Sequence, residues 1–387
     1  APDNVYDDPR YKLAAVATAR RFKSQFDSST DANRTNLTNG AAAKITQVYG
    51  KEQPTENSKV ANSGVHGPTV GVFVESQPAV AGVPFITGEY GGGHSIVLLG
   101  DSLSLMREMQ KLDNSLTIEK FAPIFVAATN KSAAYVFGPD GATGAKAEYD
   151  ALENVLDALR RVFVEPVVPK TEYGEGGFGY GNYDKRTMFH QNIAQLTQSQ
   201  AFENAVGNVT IRNLSGMSAE SIATTAKSGA DNLAYRFALQ HLNSMAVLGA
   251  DYTDFDDLSL FVGGDGSGMT DKWIDDRSKL LEEVVRRNLQ NRAYDDTLVF
   301  STSMTLFDDK STGTQIRTGP VADVGRSQIR FGSARDETLA GGNVEDHLYA
   351  GAGTDTLAGN KGDDYLEGGE GFDDYVFAYG DGKDTVL

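Results

Sequence analysis

A chain of 387 residues with 40% hydrophobic content is long enough for one large or two to three ordinary domains. It contains no cysteine, which excludes disulfides and thiolate metal sites and leaves packing, or an ion held by oxygen, as the sources of extra stability. The formal net charge of -18 argues against nucleic acid or an anionic membrane surface as a partner, and no stretch approaches the roughly 18 consecutive apolar residues of a membrane-spanning helix.

Asp8 and Pro9 supply an N-cap and a first-turn proline for a helix through about Phe26, with Leu13, Val16, Ala19 and Phe22 along one side. Residues 27 to 64 are polar and loop-like. Val70, Val72 and Val74 alternate with smaller or polar residues, the pattern of a buried strand. A glycine-rich turn at Gly88 to Gly93 leads into His94 and Ser95 and a helix through about Leu112. Leu152, Val155, Leu156, Leu159 and Phe163 recur at helical spacing in a second helix, about 147 to 164. The Gly- and Tyr-rich stretch 165 to 185 reads as a domain boundary. Beyond it the pattern predicts helices near 187 to 206, 218 to 246 and 270 to 291. The last is long and amphipathic, with Trp273, Ile274, Leu280, Leu281, Val284, Val285 and Leu289. Short strands around Asp296 to Phe300 and Ser327 to Phe331 lead into the C-terminal segment.

That segment holds more than half of the charge excess. Residues 331 to 387 contain 13 Asp and Glu against 3 Lys and Arg. Clustered carboxylates repel on folding, so such a segment stays disordered or folds around counter-ions. A repeat decides between them. From Gly332 to Val376 five nine-residue units stay in phase without a gap. Their sixth positions are Glu337, Asp346, Asp355, Asp364 and Asp373, and their eighth are Leu339, Leu348, Leu357, Leu366 and Tyr375. A flexible glycine-aspartate linker has no reason to keep an apolar residue every nine positions.

This pattern resembles the glycine-rich nonapeptide of RTX proteins. The resemblance implies a parallel β-roll in which the glycine-rich half of each unit makes a tight turn, the other half a short strand, and two units make one coil. The apolar residue then points inward and the aspartate before it into the turn, where carboxylates and carbonyls of stacked turns surround calcium. The candidate ligands are the side chains of Asp346, Asp355, Asp364, Asp373 and Glu337 and the turn glycines Gly342, Gly351, Gly353, Gly362 and Gly371. Asp346 should share ions with Asp364, and Asp355 with Asp373. Arg335 in place of a turn glycine and Glu337 in place of the aspartate suit the first unit to capping the roll. His347, at an outward position, is expected at the surface. The fold class expected is α/β plus all-β: a mixed α/β region over 1–165, a mostly helical connecting domain over 166–330, and the roll over 331–387.

Enzyme motifs are sparse. There is no His-Glu-x-x-His, the zinc protease arrangement found with RTX repeats elsewhere, and no Gly-x-Ser-x-Gly to expose a serine nucleophile. Ser95 follows His94, but Ile96 and Val97 stand where that turn needs small residues. The strings 232 to 243, 247 to 252 and 273 to 277, with His94 to Ile96, Leu99, Asp101 to Leu103 and 156 to 161, resemble secreted RTX proteins with a class 3 lipase-like region. In that family the nucleophilic serine lies upstream of the triad histidine. His94 is the position here for that histidine, as a general base or, on the structural alternative, as a helix-capping residue. The chain is then the C-terminal part of a hydrolase completed by an upstream catalytic segment, with residues 1–165 the remainder of its lipase-like domain. Tyr379 to Leu387 reads as a strand closing the roll, and proteins of this kind continue into a cap and an export signal, so the end reads as truncated or as capped by self-assembly. Two function classes stay open. One is the calcium-dependent folding and export module of a type I secreted, lipase-like bacterial protein; the other is a non-enzymatic adhesin or layer-forming surface protein.

Overall fold

The computed structural model describes residues 47–51, 69–73, 96–128, 151–164, 183–263, 268–289 and 304–387. The expected helix near the N-terminus, the strand at 296–300, His94 and Ser95 lie outside these residues. Strands β1 (Gln47–Lys51) and β2 (Thr69–Phe73), the second falling on the alternating valines, form a two-stranded sheet. The larger of two compact units comprises residues 50–58 and 72–387. Among the described residues no helix is long and apolar enough to cross a membrane.

Eight helices are described in this larger unit: α1 (Ile96–Leu112), α2 (Ile118–Ala128), α3 (Ala151–Phe163), α4 (Tyr183–Gln198), α5 (Gln200–Ala205), α6 (Ala219–Lys227), α7 (Asn232–Gln240) and α8 (Asp271–Leu289). The apolar positions at helical spacing in α3, Leu152, Val155, Leu156, Leu159 and Phe163, are all buried in one helical core. The helix expected over 187–206 is broken at Ser199, whose hydroxyl accepts from the Phe202 N–H at 3.1 Å and starts α5 as a new N-cap. The helix expected over 218–246 is three elements. Ser218 caps α6, Gly229 at φ +141° turns the chain, and Leu242 at φ +50° ends α7. Residues Met245–Leu248 then form β4, antiparallel to β3 (Thr210–Asn213).

The C-terminal part is a coil of two facing sheets. One has the order β13-β11-β9-β7-β5-β6 and the other β12-β10-β8, where β5 is Thr305–Asp309, β6 Thr314–Arg317, β7 Ser327–Phe331, β8 Thr338–Ala340, β9 His347–Gly353, β10 Thr356–Ala358, β11 Tyr365–Gly371, β12 Asp374–Tyr375 and β13 Thr385–Val386. Repeat strands pair in parallel with those two nonapeptides away: Leu366 with Leu348 in one sheet, Leu357 with Leu339 in the other. Two units per turn is therefore the observed geometry. Leu339, Leu348, Leu357 and Leu366 fill the space between the sheets with Ala350, and Tyr375 packs against them.

The larger sheet does not begin with the first glycine-rich unit. β7 pairs in parallel with β9, Ile329 against His347, and β5 and its hairpin partner β6 extend the sheet further. Helix α8 lies over this sheet and has two apolar faces. Ile274, Leu281 and Val285 join the helical core, whereas Leu280 and Val284 pack on Phe307, Ile316, Ile329, Phe331 and Tyr349 of the sheet. The amphipathic pattern of α8 thus serves two partners, and one helix ties the roll to the helical body.

Candidate metal centre

Strands β10, β11 and β12 are each preceded by a turn with two positive-φ residues: Gly351 +100° and Gly353 +145°, Asn360 +68° and Gly362 +141°, Gly369 +93° and Gly371 +133°. At Gly371 the reason is doubled, because a Cβ there would also collide with the carbonyl oxygen of Gly353 in the turn above. The stacking that demands glycine also aligns the aspartate two residues after it. Asp346 N–H donates to Asp364 Oδ1 at 2.8 Å, and Asp364 N–H to Asp384 Oδ1 at 3.1 Å. On the other side Glu337 N–H donates to Asp355 Oδ1 at 2.7 Å, and Asp355 N–H to Asp373 Oδ1 at 3.0 Å. Two aspartate ladders run along the coil, one on each side.

The expected pairs Asp346–Asp364 and Asp355–Asp373 are thus brought one above the other, and each ladder has a cap. In the first, Gln328 occupies the register above Asp346, donates its N–H to Asp346 Oδ1 at 2.6 Å, and is buried without a charge. In the second, the Glu337 carboxylate is held by the N–H and hydroxyl of Ser333. Asp384 was not among the sequence candidates. Gly380 and Gly382, at φ +93° and +133°, repeat the turn before it, but Tyr365 pairs with Thr385, two residues beyond the repeat register. The string Gly380-Asp-Gly-Lys-Asp384 is the signal that would have found it.

The electrostatics of the ladders is unfavourable to bare carboxylates. Asp346, Asp355 and Asp364 are buried. Burial, joined by the charge of Asp364, pushes the Asp346 carboxyl up to about 6, against hydrogen bonds from Gly342 and Gln328. Asp355 is raised by burial and then by the charges of Asp373, Glu337 and Asp336. Asp364 is raised by burial and then by Asp384, Asp363 and Asp381. Asp355 Oδ2 and Asp364 Oδ2 are buried with no hydrogen-bond partner. Buried carboxylate oxygens at successive levels, beside the carbonyls of glycine turns, form an all-oxygen donor set that suits a hard cation and fits calcium. Among the described residues no three His, Asp or Glu side chains converge as a metal site. That accords with a coil whose carboxylates stack one per turn, so that a full coordination shell draws on backbone carbonyls.

His347 corrects an expectation. It is 8% exposed rather than a surface residue, because α8 covers the outward face of β9. Its Nδ1 lies 2.5 Å from Asp276 Oδ2 on α8, and the Tyr349 hydroxyl donates to the same oxygen at 2.7 Å. Thr270, just before α8, donates to Glu367 of β11 at 2.8 Å. Another acid and histidine meet in the helical body, where the buried Asp101 lies 2.8 Å from Nε2 of the half-exposed His190.

A coil of parallel strands with one aspartate per nonapeptide defines a calcium-binding β-roll. The family model described as RTX calcium-binding nonapeptide repeat (4 copies) matches residues 331–366 and, in an overlapping placement, 340–375. No curated protein and no solved structure matches the chain. Residues 331–375 therefore carry RTX nonapeptide repeats, and calcium is the ion such repeats bind.

Proposed function

We propose that this chain is a secreted protein whose roll is a calcium-dependent folding module that fastens the helical body through α8. The observation that carries this reading is the pair of ladders with buried, unpartnered carboxylate oxygens. Without a cation their burial and mutual repulsion oppose folding; with one, ion binding becomes folding free energy. Asp346, Asp355, Asp364 and Asp373 supply carboxylates, and the turns at Gly342, Gly351, Gly353, Gly362 and Gly371 supply carbonyls. Glu337 belongs to the cap. Such a module suits export by a type I pathway, because low internal calcium leaves the repeats unfolded for passage and external calcium folds them.

The single tryptophan, Trp273, reports on the module. It sits on α8 with its ring edge-on to Phe331 of the sheet at 6.0 Å. Its emission should change cooperatively as calcium is added, together with the gain of β-structure. Emission that does not respond to calcium would contradict the proposal.

A second reading, a lipase-like parent, is favoured by the Asp101–His190 pair, since Asp101 lies in one of the strings that resemble those proteins. A buried acid holding a half-exposed imidazole is the acid and base part of a triad, with the serine supplied from upstream. This reading moves the base from His94 to His190. Turnover of chromogenic short-chain esters that falls roughly 100-fold in His190→Ala supports it. Absence of turnover, or turnover indifferent to His190, rejects it for this chain.

A further inference from the structure

Between α3, the end of α7, α8 and the edge of the roll lies a cavity of about 930 Å³, the size of a small-molecule site. Three basic side chains line its helical end: Arg161 on α3, His241 at the end of α7, and Arg277 on α8. Arg277 is 1% exposed in its side chain and held rigidly. Its Nε donates to Leu239 O at 2.8 Å, its Nη2 to Gln240 O at 2.9 Å, and Nη2 lies 2.9 Å from Asp309 Oδ2. Its guanidinium carbon stands 4.7 Å from the ring centre of Phe331 and 5.5 Å from that of Trp273. Nη1 is buried and has no hydrogen-bond partner.

The acids at the helical end are engaged, and Glu367 and the exposed Glu370 line the cavity on the roll side. Asp309 is paired with Arg277, and Asp157 lies 3.1 Å from Arg160. Asp257 accepts from the Gln240 amide. Arg161, by contrast, has no ion pair within 4.0 Å among the described residues. The ring of His241 feels both arginines: burial first, then the charges of Arg161 and Arg277, lower it to about 3. It is therefore neutral at pH 7 and has an N–H to donate. A buried, orphaned guanidinium N–H is costly unless something accepts from it, and a planar fork fixed on two aromatic rings is suited to an oxyanion.

We propose that this cavity is a binding site for a small ligand bearing an oxyanion, carboxylate or phosphate, which accepts from Arg277 Nη1, with Arg161 and His241 completing its surroundings and Trp273 and Phe331 forming an apolar wall. The site lies in the helical body at its joint with the roll. Its ligand would therefore stabilise the calcium-loaded state.

The test is isothermal titration of the full calcium-loaded chain with sodium acetate and with sodium sulfate, against sodium chloride at equal ionic strength. Acetate stands for a carboxylate and sulfate for a tetrahedral phosphate-like group. The expected result is saturable binding of one of them at a single site, weakened at least tenfold both in Arg161→Gln and in Arg277→Lys. The probe that binds identifies the class. Because Arg161 makes no ion pair among the described residues, Arg161→Gln keeps the test sound if Arg277→Lys impairs folding. Heat no different from chloride for both probes, or binding that Arg161→Gln leaves unchanged, would overturn the site.

Discussion

Buried aspartates occur both in the helical body and in the roll, and their surroundings differ in one respect. Asp276 on α8 is pushed up by burial, yet hydrogen bonds from His347, Lys279 and Tyr349 and the charge of His347 outweigh this and hold it at about 2. Asp309, beside the helical body at the start of the sheet, is likewise raised by burial but held below its ordinary value by Arg277 and by the hydroxyls of Thr312 and Ser311. In the ladders Asp346, Asp355 and Asp364 face mainly other acids and are raised. Cations built into the chain complete the first group; the second is designed around a cation from solution. The body's charges are thus internal to the fold, and on the proposed function the roll's make its folding depend on the medium.

The largest effect that sharpens this contrast is expected at a turn. Gly371→Ala places a Cβ against the Gly353 carbonyl at φ +133°, which costs about 4 kcal/mol of roll stability. Urea unfolding at saturating calcium should show the roll's transition moved and the helical transition retained. Next is the link between the regions. Asp276→Ala removes the acceptor shared by His347 and Tyr349, a buried network whose breakage costs about 3 kcal/mol. Hydrogen exchange should accelerate in α8 and β9 with calcium still bound.

Acidity should separate the two regions in opposite directions. The Asp346 carboxyl, at about 6 when folded against 3.8 ordinarily, binds more protons in the folded roll. Its contribution to calcium-free stability is full below 3.8 and is lost as pH rises through 6. For Asp276, at about 2, the contribution is present above 3.8 and is lost as pH falls towards 2. Without calcium, exchange protection in the roll should therefore decline between pH 4 and 6, while that of α8 declines only in acid below pH 4. The smallest effect is at the added ladder position. Asp384→Asn should weaken calcium binding in the last turn alone, and native mass spectrometry should count fewer ions on the variant with the other sites filled.

The roll is legible in the sequence because its physics is periodic. A tight turn, an inward leucine and a stacked carboxylate each recur every nine residues, so the ladders from Asp346 to Asp373 can be drawn before any coordinates. Departures from the period are hidden. Asp384 sits two residues out of register, and Gln328 carries the ladder position into a strand with no glycine turn before it. His347 looks like a surface residue because strand alternation says which face it takes, not what lies on that face; only the tertiary packing of α8 reveals a cover. The β4 strand is disguised as a helix end, since a four-residue apolar run has no distinguishing period. Arg277 gives no sign at all in the sequence, as its burial comes from α7, β5 and Phe331 closing around it.

The most direct test of the central claim is a calorimetric calcium titration, followed in parallel by far-ultraviolet circular dichroism, on the intact chain and on Asp355→Ala combined with Asp364→Ala. The account predicts that calcium binds the intact chain and produces β-structure in step with binding, and that the double variant, lacking one rung of each ladder, loses both responses. An intact chain that forms its full β-structure without calcium, or a double variant that responds as the intact chain does, would contradict it.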